Sequence, residues 1–485
     1  MQKVLRLLTP LVIALALGAC SKSINPVTGR TDRGLMTEEQ EIASGREYNQ
    51  QVLKEYAVYN NPALQAYVTR LGQSLAVHSH RPNLPWTFTV LDSPEINAFA
   101  VQGGFIYITR GLMAYLDSEA ELAGVLGHEI GHVTARHGAK AERDQKVAAG
   151  TTFLATIAGA ILGGEQGAAL GQQVVGGIAQ TSVLLPHSRD HELQADGLGA
   201  EYLSRIGSNP EIMVKVVSVL KYQEEFAADQ ARAAGKQVVA RDYYLSTHPS
   251  NDQRLNDIRN TARKYPPSQV DPGHERYLRA IDGMTFGDAT EQGVTRGSQF
   301  YHAPLGFTLQ LPAGWKFQNS PSQLVAISGD EQVAVALAGT GTMGNHEAAL
   351  RMLKPDSGRT EKFTINGLPA TEFFGTKQGQ PLEATVITHN GGDYLMMPMS
   401  KSAQARAQNR QLIRQVIDSF RPMNANDTAR ARPYTLRTTQ APRSFRELAN
   451  SMPADLPQRE AQLRLLNQAY PQGEPAPGRL VKIIQ

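Results

Sequence analysis

The chain contains a single cysteine, Cys20, among 485 residues. No internal disulfide can form, so the fold must rest on its apolar cores even in an oxidising compartment. Excess charge of either sign is also missing. There are 48 basic and 45 acidic residues, a net charge of +3, and no basic block stands out. That balance gives no electrostatic case for nucleic acid as a partner. The apolar run at the N-terminus, Leu11 to Leu17, is too short for an ordinary membrane span. What is present is 41% apolar content, enough for roughly two to four domains with real cores.

The N-terminus reads as an export signal over residues 1–19. Lys3 and Arg6 precede the apolar run, which ends in the small residues Leu17-Gly18-Ala19-Cys20. Those four residues resemble a bacterial lipobox. The resemblance implies cleavage before Cys20 and lipid attachment to its thiol. Cleavage removes two basic residues and no acidic one, leaving 46 against 45. Membrane attachment then depends on acyl chains and not on a polybasic face. Ser21 resembles lipoproteins sorted to the outer membrane, so the expected location is the periplasm, lipid-anchored to the inner face of that membrane.

An α+β multidomain chain is expected beyond a tether at residues 20–36. Residues 37–264 are mainly helical with a β-like insert, from Trp86 to Leu91 and from Phe105 to Thr109, punctuated by Gly103-Gly104. A Pro-rich break, Tyr265 to Pro272, opens a linker with a short helix over 265–297. From 298 to 423 the pattern alternates, as in Phe307, Leu309, Leu311 and Val333, Val335, Leu337. This predicts a small α+β domain, whose opening HAPLGFTLQLPAGWKFQN is similar to the Mog/PsbP type of sandwich. The final segment, 433–485, reads strand, helix, helix, strand. The stretch Val147 to Leu185 is rich in Gly, Ala and Leu. It is expected to be a pair of close-packed, mobile helices over the site, because a membrane span there would separate the two halves of the site.

The chemistry concentrates in GHEIGHVTARHG, Gly127 to Gly138. Ser118-Glu119-Ala120-Glu121 fits a capping box, and Leu122, Leu126, Ile130 and Val133 form an apolar stripe at helical spacing. Gly138 is the expected stop. On that helix His128 and His132 lie one turn apart, about 6 Å in rise, on a common face. Two such imidazoles can share one tetrahedral zinc ion, with Glu129 beside them as a base that does not ligate. His137 is about 140° further round, so it is expected to be a structural partner for a nearby carboxylate.

Zinc bound by two histidines needs a third protein ligand and an open position. His187 to Asp196 offers one. Ser188 can cap a helix running to about Ile206, on which Glu192 and Asp196 share a face. Glu192 is the expected ligand, and Asp196 the acceptor for the free N–H of a ligating histidine.

HEIGH with Arg136-His137, SRDHELQAD, and Thr247-His-Pro-Ser250 with Arg254 together resemble the zinc peptidases related to CAAX prenyl protease and HtpX. Asn97-Ala-Phe-Ala100 followed by Gly103-Gly104 is similar to their BepA-like periplasmic branch. The resemblance covers roughly residues 25 to 262. It implies a zincin-type metalloprotease domain with Glu192 as third ligand and one Zn2+ per chain. His248 matches a histidine that can occupy the open metal position in a resting state, and a transition-state donor role stays open for it. His248 and Arg254 are the nominees for stabilising the oxyanion. Without multiple membrane spans, CAAX processing is not implied.

The expected activity is zinc-dependent endopeptidase cleavage of unfolded or misassembled envelope proteins. Substrate is expected to add as a strand along an edge at Phe105 to Thr109, near Asn97, Phe105 and Tyr107. The tail segments Phe445 to Ala449, Leu463 to Asn467 and Pro477 to Leu480 resemble a LysM module, although Ala441-Pro-Arg-Ser444 replaces its usual Gly-Asp-Thr. Peptidoglycan binding and a protein-interaction cap are both open for this tail. So is a latent protease that works mainly as a scaffold or as a chaperone for outer-membrane assembly.

Overall fold

The computed structural model describes residues 22–33, 35–143, 188–233, 252–319 and 323–485. These fall into two compact units. The first holds the described residues up to Met284 together with Leu436–Met452 and Gln458–Ile483. The second holds Thr285–Thr435, Pro453–Pro457 and Ile484–Gln485. Cys20, the export signal and the 147–185 segment lie outside the described residues. No helix among the described residues is long and apolar enough to cross a membrane.

The first unit opens with a small antiparallel pair, β1 (Lys22–Ile24) and β2 (Thr31–Arg33). Helix α1 (Glu38–Glu55) starts from a capping box made by Thr37 and Gln40. Helix α2 (Pro62–Ala76) starts from the Asn61 side chain with Pro62 in its first turn, where the missing N–H costs nothing. Three strands follow: β3 (Thr87–Leu91), β4 (Ala98–Val101) and β5 (Phe105–Thr109). Gly103 and Gly104, with φ of +85° and +101°, make the turn between β4 and β5.

The sheet order is β3-β5-β4, with β5 parallel to β3 and antiparallel to β4. Strand β5 is therefore central and buried at every position. This corrects the expectation that Phe105 and Tyr107 lie on an edge strand open to substrate. Both sides of their backbone are already hydrogen-bonded within the sheet.

The remaining helices of this unit are α3 (Arg110–Tyr115), α4 (Glu119–Thr134), α5 (Arg189–Arg205), α6 (Ile212–Ala233), α7 (Asp252–Ala262) and α8 (His274–Ile281). Helix α4 is buried along nearly its whole length, walled by α2, α5, α6 and β4.

The second unit contains a seven-stranded antiparallel sheet. Its strands run in the order Lys316–Asn319, Leu324–Ile327, Val333–Gly339, Gly392–Ser400, Gln380–His389, Leu368–Lys377 and Ser357–Ile365. Val333, Val335 and Leu337 bury alternate positions, and their core also takes Phe300, Phe307, Trp315 and Phe420. The apolar face of the helix Arg410–Asp418 closes it with Ile413, Val416 and Ile417.

The tail has strands Tyr434–Gln440 and Leu480–Ile484 around helices Phe445–Ala449 and Arg459–Leu466. Most of it belongs to the first unit and does not stand alone. Lys482 is fully buried and donates to the Leu116 carbonyl at 2.6 Å. Gln468 donates to Glu121 at 2.6 Å and Arg479 to Asp117 at 2.7 Å. These contacts grip Leu116 and Asp117, which lead into α4, and Glu121 in its first turn.

Candidate metal centre

Helix α4 begins where Ser118 Oγ accepts from the Glu121 amide at 3.2 Å. The Glu121 carboxylate accepts from the Asp117 amide at 2.7 Å, one residue before the expected partner. Helix α5 begins where Ser188 Oγ accepts from the His191 amide at 3.3 Å, and it gives way to Gly207 at φ +77°. The two helices pack closely because glycine lies at their contact. A Cβ on Gly131 would sit 3.1 Å from the Ala195 carbonyl oxygen and 3.1 Å from Leu198 Cβ. A Cβ on Gly199 would sit 3.2 Å from the His128 amide nitrogen.

That approach brings three donors together. His128 Nε2 and His132 Nε2 are 3.0 Å apart. Glu192 places Oε1 at 3.3 Å from His132 Nε2 and Oε2 at 3.6 Å from His128 Nε2. All three side chains are buried, and one donor atom from each lies within 4.8 Å of the others. Two buried imidazoles and one buried carboxylate converging on one point fit zinc, which takes nitrogen and oxygen donors in a compact tetrahedral set. Glu129, next to His128 on α4, is fully buried too.

Asp196 lies behind His128. Its Oδ1 lies 2.9 Å from His128 Nδ1, which leaves Nε2 to face the metal position. Burial pushes the His128 imidazole down in pKa. The hydrogen bond to Asp196 and the charges of Asp196, Glu192 and Glu129 outweigh that and raise it overall. Burial likewise pushes Asp196 up, and the Arg254 guanidinium together with His128 outweighs it, holding the carboxyl below the usual carboxylate range.

Arg254, from α7, is expected as an oxyanion donor, and its guanidinium faces two carboxylates. It is only 4% exposed. Its Nε and Nη2 donate to Asp196 at 2.7 and 2.8 Å. Its Nη1 lies 3.1 Å from Glu192 Oε2. These contacts set the guanidinium against both acidic side chains of α5 that face His128 and His132.

His137 differs as well. Helix α4 ends at Thr134, and Arg136 takes a left-handed φ of +63° before a helical turn resumes at His137. Gly138 is inside that turn and does not stop the helix. The Arg136 guanidinium is fixed by the buried Glu41 carboxylate and the Met36 carbonyl, and Glu41 also accepts from Arg81 at 2.7 Å. The kink swings His137 back toward α4. Its Nδ1 lies 3.0 Å from His132 Nδ1, its Nε2 2.9 Å from Gln194 Oε1, and its ring stacks on His191 at 4.1 Å. These contacts set His137 between the His132 ring and a carboxamide. Sequence spacing missed this because a left-handed arginine carries no local signal comparable to glycine.

Asn97 sits just before β4, buried, with its backbone N–H donating to Thr109 Oγ1 at 3.1 Å. His248 lies outside the described residues.

Residues 62–262 match the model of peptidase family M48. This segment is an M48 peptidase domain. The chain is 30% identical over 279 residues to the beta-barrel assembly-enhancing protease of Escherichia coli (strain K12), covering 56% of this chain and 55% of that one. It is 32% identical over 257 residues to the putative beta-barrel assembly-enhancing protease of Vibrio cholerae, covering 52% and 50%. The mitochondrial metalloendopeptidase OMA1 of Arabidopsis thaliana is 30% identical over 229 residues, covering 47% and 42%. The chain spans about half the length of these curated relatives. The solution structure of cyanobacterial PsbP from Synechocystis sp. PCC 6803 aligns with 28% of this chain and 98% of its own, at 15% identity and a TM-score of 0.20. That score does not establish a shared fold.

Proposed function

We propose that the protein is a zinc endopeptidase of the bacterial envelope, lipid-anchored through Cys20, that cleaves unfolded or misassembled envelope proteins. The observation that carries this reading is the buried convergence of His128, His132 and Glu192 with Glu129 alongside. One zinc ion per chain is held by those three side chains. When bound it supplies Lewis acidity, polarising the scissile carbonyl and acidifying water. Glu129 accepts the proton of the attacking water and passes it to the leaving amine. Arg254 and Asp196 hold Glu192 and the His128 ring in place.

Strand β4 is paired on one side only among the described residues, being the outer strand of β3-β5-β4. An extended peptide adding to its open edge would gain backbone hydrogen bonds with little sequence choice, as suits unfolded substrates. Asn97 stands at the start of that edge. The envelope location rests on the lipobox-like N-terminus and on relatives named for β-barrel assembly. The tail's buried contacts with Leu116 and Glu121 support its being part of the peptidase unit over a free glycan-binding module.

The test is digestion of casein by the purified full-length chain, with and without a chelator, beside Glu129→Gln. Cleavage by the wild type, lost with chelator and lost in a zinc-loaded Glu129→Gln variant, is the expected result. Near-wild-type cleavage by Glu129→Gln removes the assigned base.

A further inference from the structure

The two histidines facing the metal position are backed differently. His128 Nδ1 meets the carboxylate of Asp196 at 2.9 Å. His132 Nδ1 meets another imidazole, His137 Nδ1, at 3.0 Å, and the chain continues from His137 Nε2 to Gln194 Oε1 at 2.9 Å. The two rings are buried, His132 3% and His137 0% exposed, while Gln194 is half-buried.

We propose that His137 and Gln194 form a neutral positioning relay that fixes the proton on His132 and sets how tightly zinc is held. This inference rests on the zinc reading above. The argument follows from counting protons along the line. If His132 presents Nε2 as a lone pair, its ring proton must sit on Nδ1. His137 Nδ1 must then accept, so the His137 proton must be on Nε2. Gln194 Oε1 is a carbonyl oxygen that can only accept, which is the group needed to hold the proton there. The opposite tautomer would bring two N–H groups face to face at 3.0 Å and leave Gln194 Oε1 without its donor. Stacking on His191 at 4.1 Å and the left-handed Arg136 keep the His137 ring in the plane this chain of bonds requires.

The arrangement makes the two ligands unequal. An anion behind His128 makes that imidazole the more basic donor, while a neutral partner leaves His132 the weaker one. Groups that orient a ligating histidine typically change metal affinity by about 10–100-fold.

The experiment is a zinc competition titration of the full-length chain against a chromophoric chelator. His137→Phe keeps the stacked ring but cannot accept, and should bind zinc about 10–100-fold more weakly. His137→Gln, whose carboxamide oxygen can accept from His132 Nδ1, should recover most of that loss. Gln194→Leu should weaken zinc binding, and Gln194→Glu should tighten it by placing an anion at the end of the chain. In the zinc-loaded wild type, nitrogen-15 shifts should show His137 protonated on Nε2. Wild-type zinc affinity in both His137→Phe and Gln194→Leu, or an Nδ1-protonated His137, overturns the relay. If the wild type takes up no zinc at all, the metal reading itself has failed, a result distinct from unaltered binding in the variants. Should His137→Phe not fold, the Gln194 pair, at a half-buried site, decides the matter.

Discussion

Arg254 holds Asp196 through Nε at 2.7 Å and Nη2 at 2.8 Å, and the same carboxylate meets His128 Nδ1 at 2.9 Å. A residue from α7 thereby fixes the orientation of a ring on α4 through a carboxylate on α5. Replacing Arg254 with Met leaves two buried carboxylates, Asp196 and Glu192, without their cation. Breaking a buried ion pair by removing one partner costs about 3–5 kcal/mol. The apo protein should show that loss in urea denaturation and bind zinc more weakly, and Arg254→Lys should recover only part of both. A fully stable, zinc-binding Arg254→Met chain would contradict the clamp.

Close approach of α4 and α5 is what lets Glu192 reach the histidines, and Gly131 is its tightest point. Gly131→Val should push the helices apart, costing about 1–3 kcal/mol and lowering zinc content. Gly197, on the same α5, has only Thr261 Cγ2 near, at 3.8 Å from an added Cβ. Gly197→Ala should therefore be neutral, or stabilising by up to about 1 kcal/mol from helix propensity. Equal effects at the two glycines in thermal melts would mean that the interhelical contact is not what positions the site.

The buried tail lysine gives a pH signature. Burial holds Lys482 down at about 8, against an ordinary 10.5, with Asp117 and Glu121 pulling the other way. Between those values the unfolded chain binds more protons than the folded one, so this group's contribution to stability rises as pH increases through the window. Urea denaturation at pH 8 and pH 10 should show wild type gaining on Lys482→Met, by at most about 3 kcal/mol. A difference that does not change with pH would place Lys482 in solvent, contrary to its contact with Leu116.

Local signals in the sequence reached far into the site. The Ser118 and Ser188 caps, the one-turn spacing of His128 and His132, and the i, i+4 pair Glu192 and Asp196 all depend on neighbours in the chain, and periodicity records them. What escaped was nonlocal. The order β3-β5-β4 is a tertiary choice, and an apolar run such as Phe105 to Thr109 reads alike at an edge or at the centre. Arg254 reads in sequence as an oxyanion donor, and its contacts with Asp196 and Glu192 exist only once α7 packs on α5. His137 was displaced by the left-handed Arg136, whose conformation is held by Glu41, far away in the chain. The tail's membership of the peptidase unit depends on Lys482 finding the Leu116 carbonyl, 366 residues away.

The central claim is that His128, His132 and Glu192 hold a single zinc ion that the chemistry requires. Elemental analysis of purified full-length protein, paired with casein digestion on the same samples, tests it most directly. The wild type should carry close to one zinc per chain and cleave, while His132→Ala and Glu192→Ala should carry little metal and lack activity. Full zinc occupancy in Glu192→Ala, or undiminished cleavage by metal-free wild type, would contradict the account.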